Sequence, residues 1–116
     1  MEQAVATQTV QKRAMPKRMV NSYVNNQLMG LSKEQLLLTV YDIAITGCQQ
    51  KDGDKAIRAI SELISALNFE HQDIAIGLFR LYQYAIDKVR EKNYDEVIGI
   101  LQGLRESWAT AFQQAA

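Results

Sequence analysis

The apolar positions of this chain recur every three or four residues in four separate stretches, and such spacing predicts amphipathic helices. The expected helices cover residues 32–50, 54–69, 74–91 and 93–113, with a short polar break between each and the next. Connections of a few residues favour antiparallel neighbours. The pattern therefore predicts an all-α fold, an antiparallel up-down four-helix bundle formed by residues 32–113, with no internal repeat of about 20–50 residues.

Each predicted helix begins beside a residue that can cap it. Ser32 opens the sequence SKEQ, a capping box in which the serine hydroxyl and the glutamine side chain each bind a backbone N–H. Asp52 or Asp54 is expected to cap the second helix, and Asp73 the third. Asn93 precedes the fourth helix and is followed by two acidic residues, which favour a helix N-terminus.

The residues before Ser32 are expected to form two further parts. Residues 1–16 mix Gln, Thr, Ala and Val without an apolar stripe and end at Pro16, the single proline, so a disordered arm is expected there. Residues 17–31 are expected to contain a short amphipathic helical segment with the apolar residues Met19, Val20, Tyr23, Val24 and Leu28. Because a helix this short is unstable alone, it needs a surface to lie on.

The first predicted helix carries more apolar residues than one core-facing stripe requires. Leu38 and Ile45, seven residues apart, are expected to face away from the core. On the third helix, Phe79 and Ile86 lie beside the main stripe. These four residues predict a second apolar surface, built from helices one and three, that takes the N-terminal segment or a partner helix. Uneven packing, which would bury each of them in the core, is the alternative.

Composition and charge exclude few kinds of protein. The chain has 116 residues, 47% of them hydrophobic, and Lys+Arg and Asp+Glu number 13 each. Its first 31 residues hold Lys12, Arg13, Lys17 and Arg18 against Glu2 alone, but no aromatic residues alternate with these cations, so a solvated tail is expected. No apolar run is long enough to span a bilayer, and the N-terminus lacks the apolar stretch of a secretion signal. A cytoplasmic protein with a single core is expected.

Candidate catalytic and metal-binding chemistry is missing from the sequence. His71 is the single histidine, and Cys48, the single cysteine, lies in an apolar pattern typical of a buried thiol. The DGD sequence at residues 52–54 lacks the later ligands of a calcium loop, so a turn is expected there. No glycine-rich phosphate loop occurs, and no nucleophile is paired with a histidine. The chain is therefore expected to be a non-enzyme without cofactor or metal.

Several short motifs together resemble those of one protein family. In order along the chain they are Tyr23, Ser32-x-x-Gln35-Leu36, Val40-Tyr41-Asp42, Ala44-Ile45, Leu81-Tyr82-x-Tyr84, Asn93 and Leu104-Arg105-x-x-Trp108. This set resembles the flagellin-specific export chaperones of bacterial flagella, the FliS family, and the resemblance covers about residues 20–112. The chain departs from the family pattern at Ile43, which stands where the family motif Y-D-G has glycine.

The resemblance implies a helical bundle that binds the disordered C-terminal segment of flagellin in the cytoplasm, prevents premature polymerisation and assists type III export. Export-gate components are the further partners it implies, and neither nucleic acid nor membrane insertion is expected. In this family the segment around the N-terminal tyrosine covers the apolar site, so Val20, Tyr23, Val24 and Leu28 are expected to form a displaceable lid. The unbound chain is expected to be a monomer or a weak dimer.

The predicted partner-binding residues combine the apolar pattern with the resemblance. They are Val20, Tyr23, Val24, Leu28, Leu38, Ile45, Phe79, Tyr82, Tyr84 and Ile86. Tyr84 is expected on the polar side of helix three, whereas Tyr41, Tyr82 and Trp108 are expected to pack in the bundle with their polar atoms at its edge. A regulatory or nucleic-acid-binding bundle and a structural homo-oligomer are the alternative functions.

Overall fold

Four helices make up the described part of the chain. A computed structural model describes residues 30–115, of which those from Lys33 onward belong to one compact unit. The helices are α1 (Lys33–Gln49), α2 (Gly53–Ser65), α3 (Gln72–Arg90) and α4 (Tyr94–Ala115), and residues 30–115 contain no strand. The predicted all-α fold is confirmed. The expected disordered arm and amphipathic segment lie outside the described residues.

The helix starts follow the capping residues with one exception. α1 begins directly after Ser32 and α4 directly after Asn93. Asp52 caps α2, since its carboxylate accepts a hydrogen bond of 3.1 Å from the backbone N–H three residues on. The prediction for Asp73 is wrong. His71 holds the N-cap position of α3 without a side-chain cap bond, while Asp73 lies in the first turn, where its charge favours the helix N-terminus.

The second helix is shorter than the pattern predicts. α2 ends at Ser65, whereas the apolar spacing extends to Phe69. The Asn68 side-chain oxygen accepts a 2.9 Å hydrogen bond from the Glu70 backbone N–H. Such a bond stabilises a turn and competes with helix. As a result, residues 66–71 form an irregular connection, and Phe69 is exposed.

The helices form a ring in chain order. α1 packs against α2 and α4, and α3 packs against the same two helices, so α1 and α3 face each other diagonally. The α1–α2 and α3–α4 turns lie at the same end of the bundle, because the Tyr94 hydroxyl lies 3.5 Å from the Lys51 carbonyl oxygen. This arrangement is the antiparallel up-down bundle that the sequence predicts.

The core contains residues from all four helices. The largest fully buried side chains are those of Tyr41, Tyr82, Ile60, Leu101, Val97 and Cys48. Burial raises the pKa of the Cys48 thiol, which fits the expected unreactive core cysteine. α1 and α2 approach closely at Gly47, where an added Cβ would lie 2.8 Å from the Ala56 backbone nitrogen. Glycine is the residue that allows this approach.

Ile45 lies inside the core, and the prediction that it faces away from it is wrong. The side chain is 7% exposed and belongs to the core cluster. Ile45 follows Asp42 by three residues, so the two share one side of the helix. That side meets α4, because Asp42 binds Arg105 of α4. The extra apolar residue of α1 therefore fills the α1–α4 interface.

The same correction applies to Ile86 of α3, which is 5% exposed. Ile86 precedes Val89 by three residues, and the Val89 side chain would lie 3.5 Å from a Cβ added at Gly53 of α2. This side of α3 therefore meets α2. Within residues 30–115, Leu38, Ile45, Phe79 and Ile86 therefore do not form one apolar surface, because α1 and α3 are diagonal and Ile45 and Ile86 belong to the core.

Candidate functional site

Three aromatic side chains join α1, α3 and α4 through buried polar atoms. The hydroxyls of Tyr41 and Tyr82 lie 2.5 Å apart, and either can be the donor. The Trp108 indole Nε1–H donates to the Tyr41 hydroxyl at 3.0 Å. Both tyrosine side chains are buried, whereas Trp108 is partly buried. The expectation that these residues pack in the bundle is confirmed. The expectation that their polar atoms lie at its edge is wrong for Tyr41 and Tyr82, whose hydroxyls are buried and bind each other.

Burial determines how the two tyrosines ionise. Removal from water raises the pKa of Tyr41, and its hydrogen bonds with Tyr82 and Trp108 lower that pKa by a smaller amount. The pKa of Tyr82 is raised more strongly, by burial and then by the hydrogen bond to Tyr41. Both phenols therefore remain neutral at any physiological pH. The cluster holds three helices together and offers no ionised group to a reaction.

An ion pair lies beside this cluster on the outside of the bundle. The Arg105 guanidinium contacts both carboxylate oxygens of Asp42, with Nε at 2.6 Å and Nη2 at 3.0 Å. The contact raises the pKa of Arg105. Asp42 and Tyr41 are adjacent in α1, while Arg105 and Trp108 lie three residues apart in α4, so the two motifs meet side by side. The motifs that carry the family resemblance therefore stabilise the α1–α4 interface.

Tyr84 is exposed on α3, as predicted, and is tied to the start of α4. Its hydroxyl donates to the Glu96 carboxylate, which also accepts a 2.9 Å hydrogen bond from the Asn93 side chain. The hydrogen bond to Glu96 raises the pKa of Tyr84. The ammonium group of Lys88 lies 5.3 Å from the ring centre of Tyr84, a cation–π distance. The outer face of the second hairpin is polar at this end.

The opposite end of α3 presents exposed apolar residues, which we call the α3 surface. It comprises Phe69, Ile74, Ile76 and Phe79, whose exposed fractions are 52%, 64%, 41% and 37%. Phe69 lies in the α2–α3 connection, and the other three lie in the first two turns of α3. Ile76 and Phe79, three residues apart, share one side of α3, whereas Ile74 lies two residues from Ile76 and therefore on another side of the helix. Single exposed apolar residues are ordinary, but four of them within eleven consecutive positions make this end of α3 a candidate interaction site.

The structure separates the predicted partner-binding residues into groups. Phe79 and Tyr84 are exposed, and Leu38 is half-buried. Ile45, Tyr82 and Ile86 are core residues, so partner contact through them would need the bundle to open. The residues predicted for the lid, which are Val20, Tyr23, Val24 and Leu28, lie outside the described residues.

Sequence reasoning missed two members of the α3 surface. Ile74 continues the three-to-four-residue apolar spacing of helix three through Leu78, Leu81 and Ala85, which predicts a core position, but its turn of α3 has only Ala75 buried. Phe69 was expected as the last residue of helix two and lies instead in the connection. The signal that could have found both is position, because each lies at or beyond the end of its own helix, where neighbouring helices give less cover.

Within residues 30–115 no three His, Cys, Asp or Glu side chains lie close enough together to hold a metal ion. A shallow cleft at the turn end is lined by Lys51, Asp52, Asp54, Arg90 and Lys92, in which opposite charges are mixed. None of the helices in the described part of the chain is sufficiently long and apolar to span a membrane.

Comparison with known proteins decides the family. The family model described as "Flagellar protein FliS" matches residues 49–115, more than half of the chain. The chain belongs to the FliS family. FliS proteins are flagellar export chaperones, a family without enzymatic activity. Comparison with curated proteins and with solved structures gave no significant match.

The FliS match covers one partner of each polar side-chain contact described above between α1 and α3 or α4. Tyr82, Arg105 and Trp108 lie within the matched residues, whereas Tyr41 and Asp42 precede them. The contacts made by Tyr41 and Asp42 thus connect the first helix, outside the matched region, to the part of the chain that identifies the family.

Proposed function

We propose that this FliS-family protein is a cytoplasmic chaperone that binds the disordered C-terminal segment of flagellin. Binding keeps newly made flagellin from polymerising prematurely and assists its type III export, with export-gate components as further partners. The observation that carries the proposal is the α3 surface, and within it the exposed pair Ile76 and Phe79 on one side of α3, in a member of a flagellar chaperone family.

The chemistry of the α3 surface suits an unfolded, amphipathic partner. Ile76 and Phe79 lie three residues apart on one side of the helix, so together they can receive apolar side chains spaced one helical turn apart. Burying apolar area stabilises a complex by about 25 cal/mol per Å² before the cost of ordering the partner. Several hundred Å² of such contact is therefore enough for a segment that is unstructured when free.

The proposed roles of the individual residues follow their exposure. Phe79 contacts flagellin directly, and Tyr84 and Leu38 contribute where the bound segment extends beyond the α3 surface. Ile45, Tyr82 and Ile86 stabilise the bundle from its core and do not contact flagellin. Val20, Tyr23, Val24 and Leu28 form a lid that competes with flagellin for the apolar surface. Deleting residues 1–28 should then strengthen flagellin binding, and unchanged affinity would contradict the lid.

Binding of full-length flagellin and of flagellin without its C-terminal segment tests the main proposal. The purified chain should bind the first and not the second, by calorimetry or pull-down. The double variant Ile76→Asp and Phe79→Asp should lose binding with unchanged helicity, because both residues are exposed. Gln102→Asp, which adds negative charge at an exposed position of α4, is the matched control and should bind normally.

Two binding results would contradict the proposal. Equal binding of both flagellin forms would exclude the C-terminal segment as the partner. Full binding by the double variant would exclude the α3 surface. Light scattering on the unbound chain tests whether the α3 surface is instead a contact between two copies of the chain. A stable dimer that dissociates in the double variant would identify it as such a contact and contradict the proposal.

A further inference from the structure

The two tight turns of the bundle have the same backbone structure. Lys51, between α1 and α2, and Lys92, between α3 and α4, have φ values of 57° and 63°, and they are the non-glycine residues with positive φ in the described part of the chain. The left-handed region is uncommon for lysine. In each turn the lysine N–H binds the carbonyl three residues earlier, at 3.1 Å to Cys48 and 2.9 Å to Val89.

The residue that follows each lysine also makes an equivalent backbone hydrogen bond in the two turns. The N–H of Asp52 binds the carbonyl of Gly47 at 2.8 Å, and the N–H of Asn93 binds the carbonyl of Lys88 at 2.9 Å. These bonds end α1 and α3 in the same way, with a left-handed residue where glycine is usual. Every pair of equivalent atoms in the two turns is separated by 41 residues.

The 41-residue offset extends along both hairpins. Residues 33–69 align with residues 74–110 without a gap, and eight pairs are identical: Leu37/Leu78, Tyr41/Tyr82, Ala44/Ala85, Ile45/Ile86, Lys51/Lys92, Asp54/Asp95, Ile57/Ile98 and Leu63/Leu104. The sequence pattern predicts no internal repeat of this length, and the shared turn structure argues against that prediction. Eight identities in 37 positions are too few to stand out against the general similarity of amphipathic helices, and the shared turns reveal the register.

Burial follows the same register. Six buried pairs occupy equivalent positions, and they are Tyr41/Tyr82, Ala44/Ala85, Ile45/Ile86, Cys48/Val89, Ala56/Val97 and Ile60/Leu101. The offset therefore relates α1 to α3 and α2 to α4, the two diagonal pairs of the ring. The α1–α4 interface corresponds to the α2–α3 interface under this relation.

One contact places a pseudo-two-fold axis along the bundle. The Tyr41 and Tyr82 hydroxyls lie 2.5 Å apart, and their ring centres are separated by 6.5 Å. A residue that contacts its own equivalent lies on a two-fold axis, as in a symmetric dimer interface. Here both equivalents belong to one chain.

The two hairpins differ in their internal packing. Gly47 and Ala56 allow α1 and α2 to approach closely, whereas their equivalents are the larger Lys88 and Val97. Leu63 is 2% exposed, but its equivalent Leu104 is only partly buried. The faces with which the two hairpins contact each other have the same pattern of buried residues, whereas the packing between the two helices of a hairpin differs.

We propose that this bundle is a fused dimer of one helical hairpin. The unit is represented by residues 33–69 and 74–110, and its inner face is self-complementary, so the partner that this face fits is a second copy of the same hairpin. The Tyr41–Tyr82 contact is the symmetric centre of that interface. A continuous segment of one half, taken together with its own turn, should consequently replace the equivalent segment of the other half.

A segment exchange within the full chain tests this inference. Residues 85–98 are replaced by the sequence of residues 44–57, which contains the turn and the buried positions on either side of it. The replacement leaves Tyr82, Arg105 and Trp108 in place. The exchanged chain should be a helical monomer that unfolds cooperatively, with a melting temperature within about 10 °C of the parent. Far-UV circular dichroism, Trp108 fluorescence and light scattering measure these properties.

The matched control inserts the sequence of residues 46–59 at the same place. It has the same length and a similar composition, but it shifts the register by two residues and turns the buried positions outward. This chain should lose cooperative unfolding. Two outcomes overturn the proposal: loss of cooperative unfolding in the first chain, or equal stability of both chains, which would show that any amphipathic segment suffices. Replacing all of residues 74–110 by residues 33–69 extends the test, and a cooperative monomer is again expected.

Discussion

The close approach of α1 and α2 at Gly47 makes a sharp prediction about a single methyl group. In Gly47→Ala, the new carbon would lie 2.8 Å from the backbone nitrogen of Ala56, 3.1 Å from its Cα and 3.2 Å from its Cβ. Two of these neighbours are backbone atoms, so no side-chain rotation can relieve the contact. The helices must move apart, and the core residues between them lose contact.

Two opposing terms determine the size of the effect. Alanine is better than glycine inside a helix by about 1 kcal/mol. Forcing a group into a packed interface costs about 1–3 kcal/mol. We expect the steric cost to exceed the helix propensity, so that Gly47→Ala lowers the free energy of unfolding by about 1 kcal/mol and the melting temperature by about 4–8 °C.

Gly99→Ala is the matched control, because Gly99 is exposed in α4 and an added Cβ there meets no atom within 4 Å. This substitution should raise the melting temperature by about 4–8 °C through helix propensity alone. Thermal and urea unfolding, followed by circular dichroism and Trp108 fluorescence, measure both variants. If Gly47→Ala stabilises the chain as much as Gly99→Ala, the α1–α2 contact yields without cost and the reasoning is refuted.

Three further predictions concern polar contacts between helices. Tyr41→Phe should lower the free energy of unfolding by about 2 kcal/mol and Tyr82→Phe by about 1 kcal/mol, because the Tyr41 hydroxyl serves both Tyr82 and Trp108; equal losses in urea unfolding would contradict this. The folded chain raises the pKa of both tyrosines above 10.0 and so retains protons that the unfolded chain releases. The free energy of unfolding should therefore fall as the pH rises above about 10, and it should fall less steeply in Tyr82→Phe. Urea midpoints measured between about pH 8 and 11 test this dependence on pH. Asp42→Asn should cost at most about 1 kcal/mol, since the Asp42 side chain is 54% exposed beside Arg105; a loss well above this, or one unaffected by salt, would show that the pair acts as a buried contact.

The sequence by itself determined the local structure of this protein. The pattern predicts the helix starts after Ser32 and Asn93 and limits the cap of α2 to Asp52 or Asp54, of which Asp52 makes the bond. Each of these features depends on residues within about four positions of one another, so the local sequence carries the whole signal. The family resemblance, which rested on ordered short motifs, was likewise present in the sequence.

The tertiary structure alone decided which apolar residues are exposed. Ile45 and Ile86 belong to the core because the ring order places α4 and α2 beside them. Ile74 is exposed, although its spacing from Leu78 and Leu81 is that of the apolar stripe of α3. Helical periodicity records which side of a helix is apolar, but not how many neighbours cover that side or where those neighbours end. The contact between Tyr41 and Tyr82, 41 residues apart, arises for the same reason: it depends on which helices are diagonal, and that arrangement is set by packing of the whole bundle.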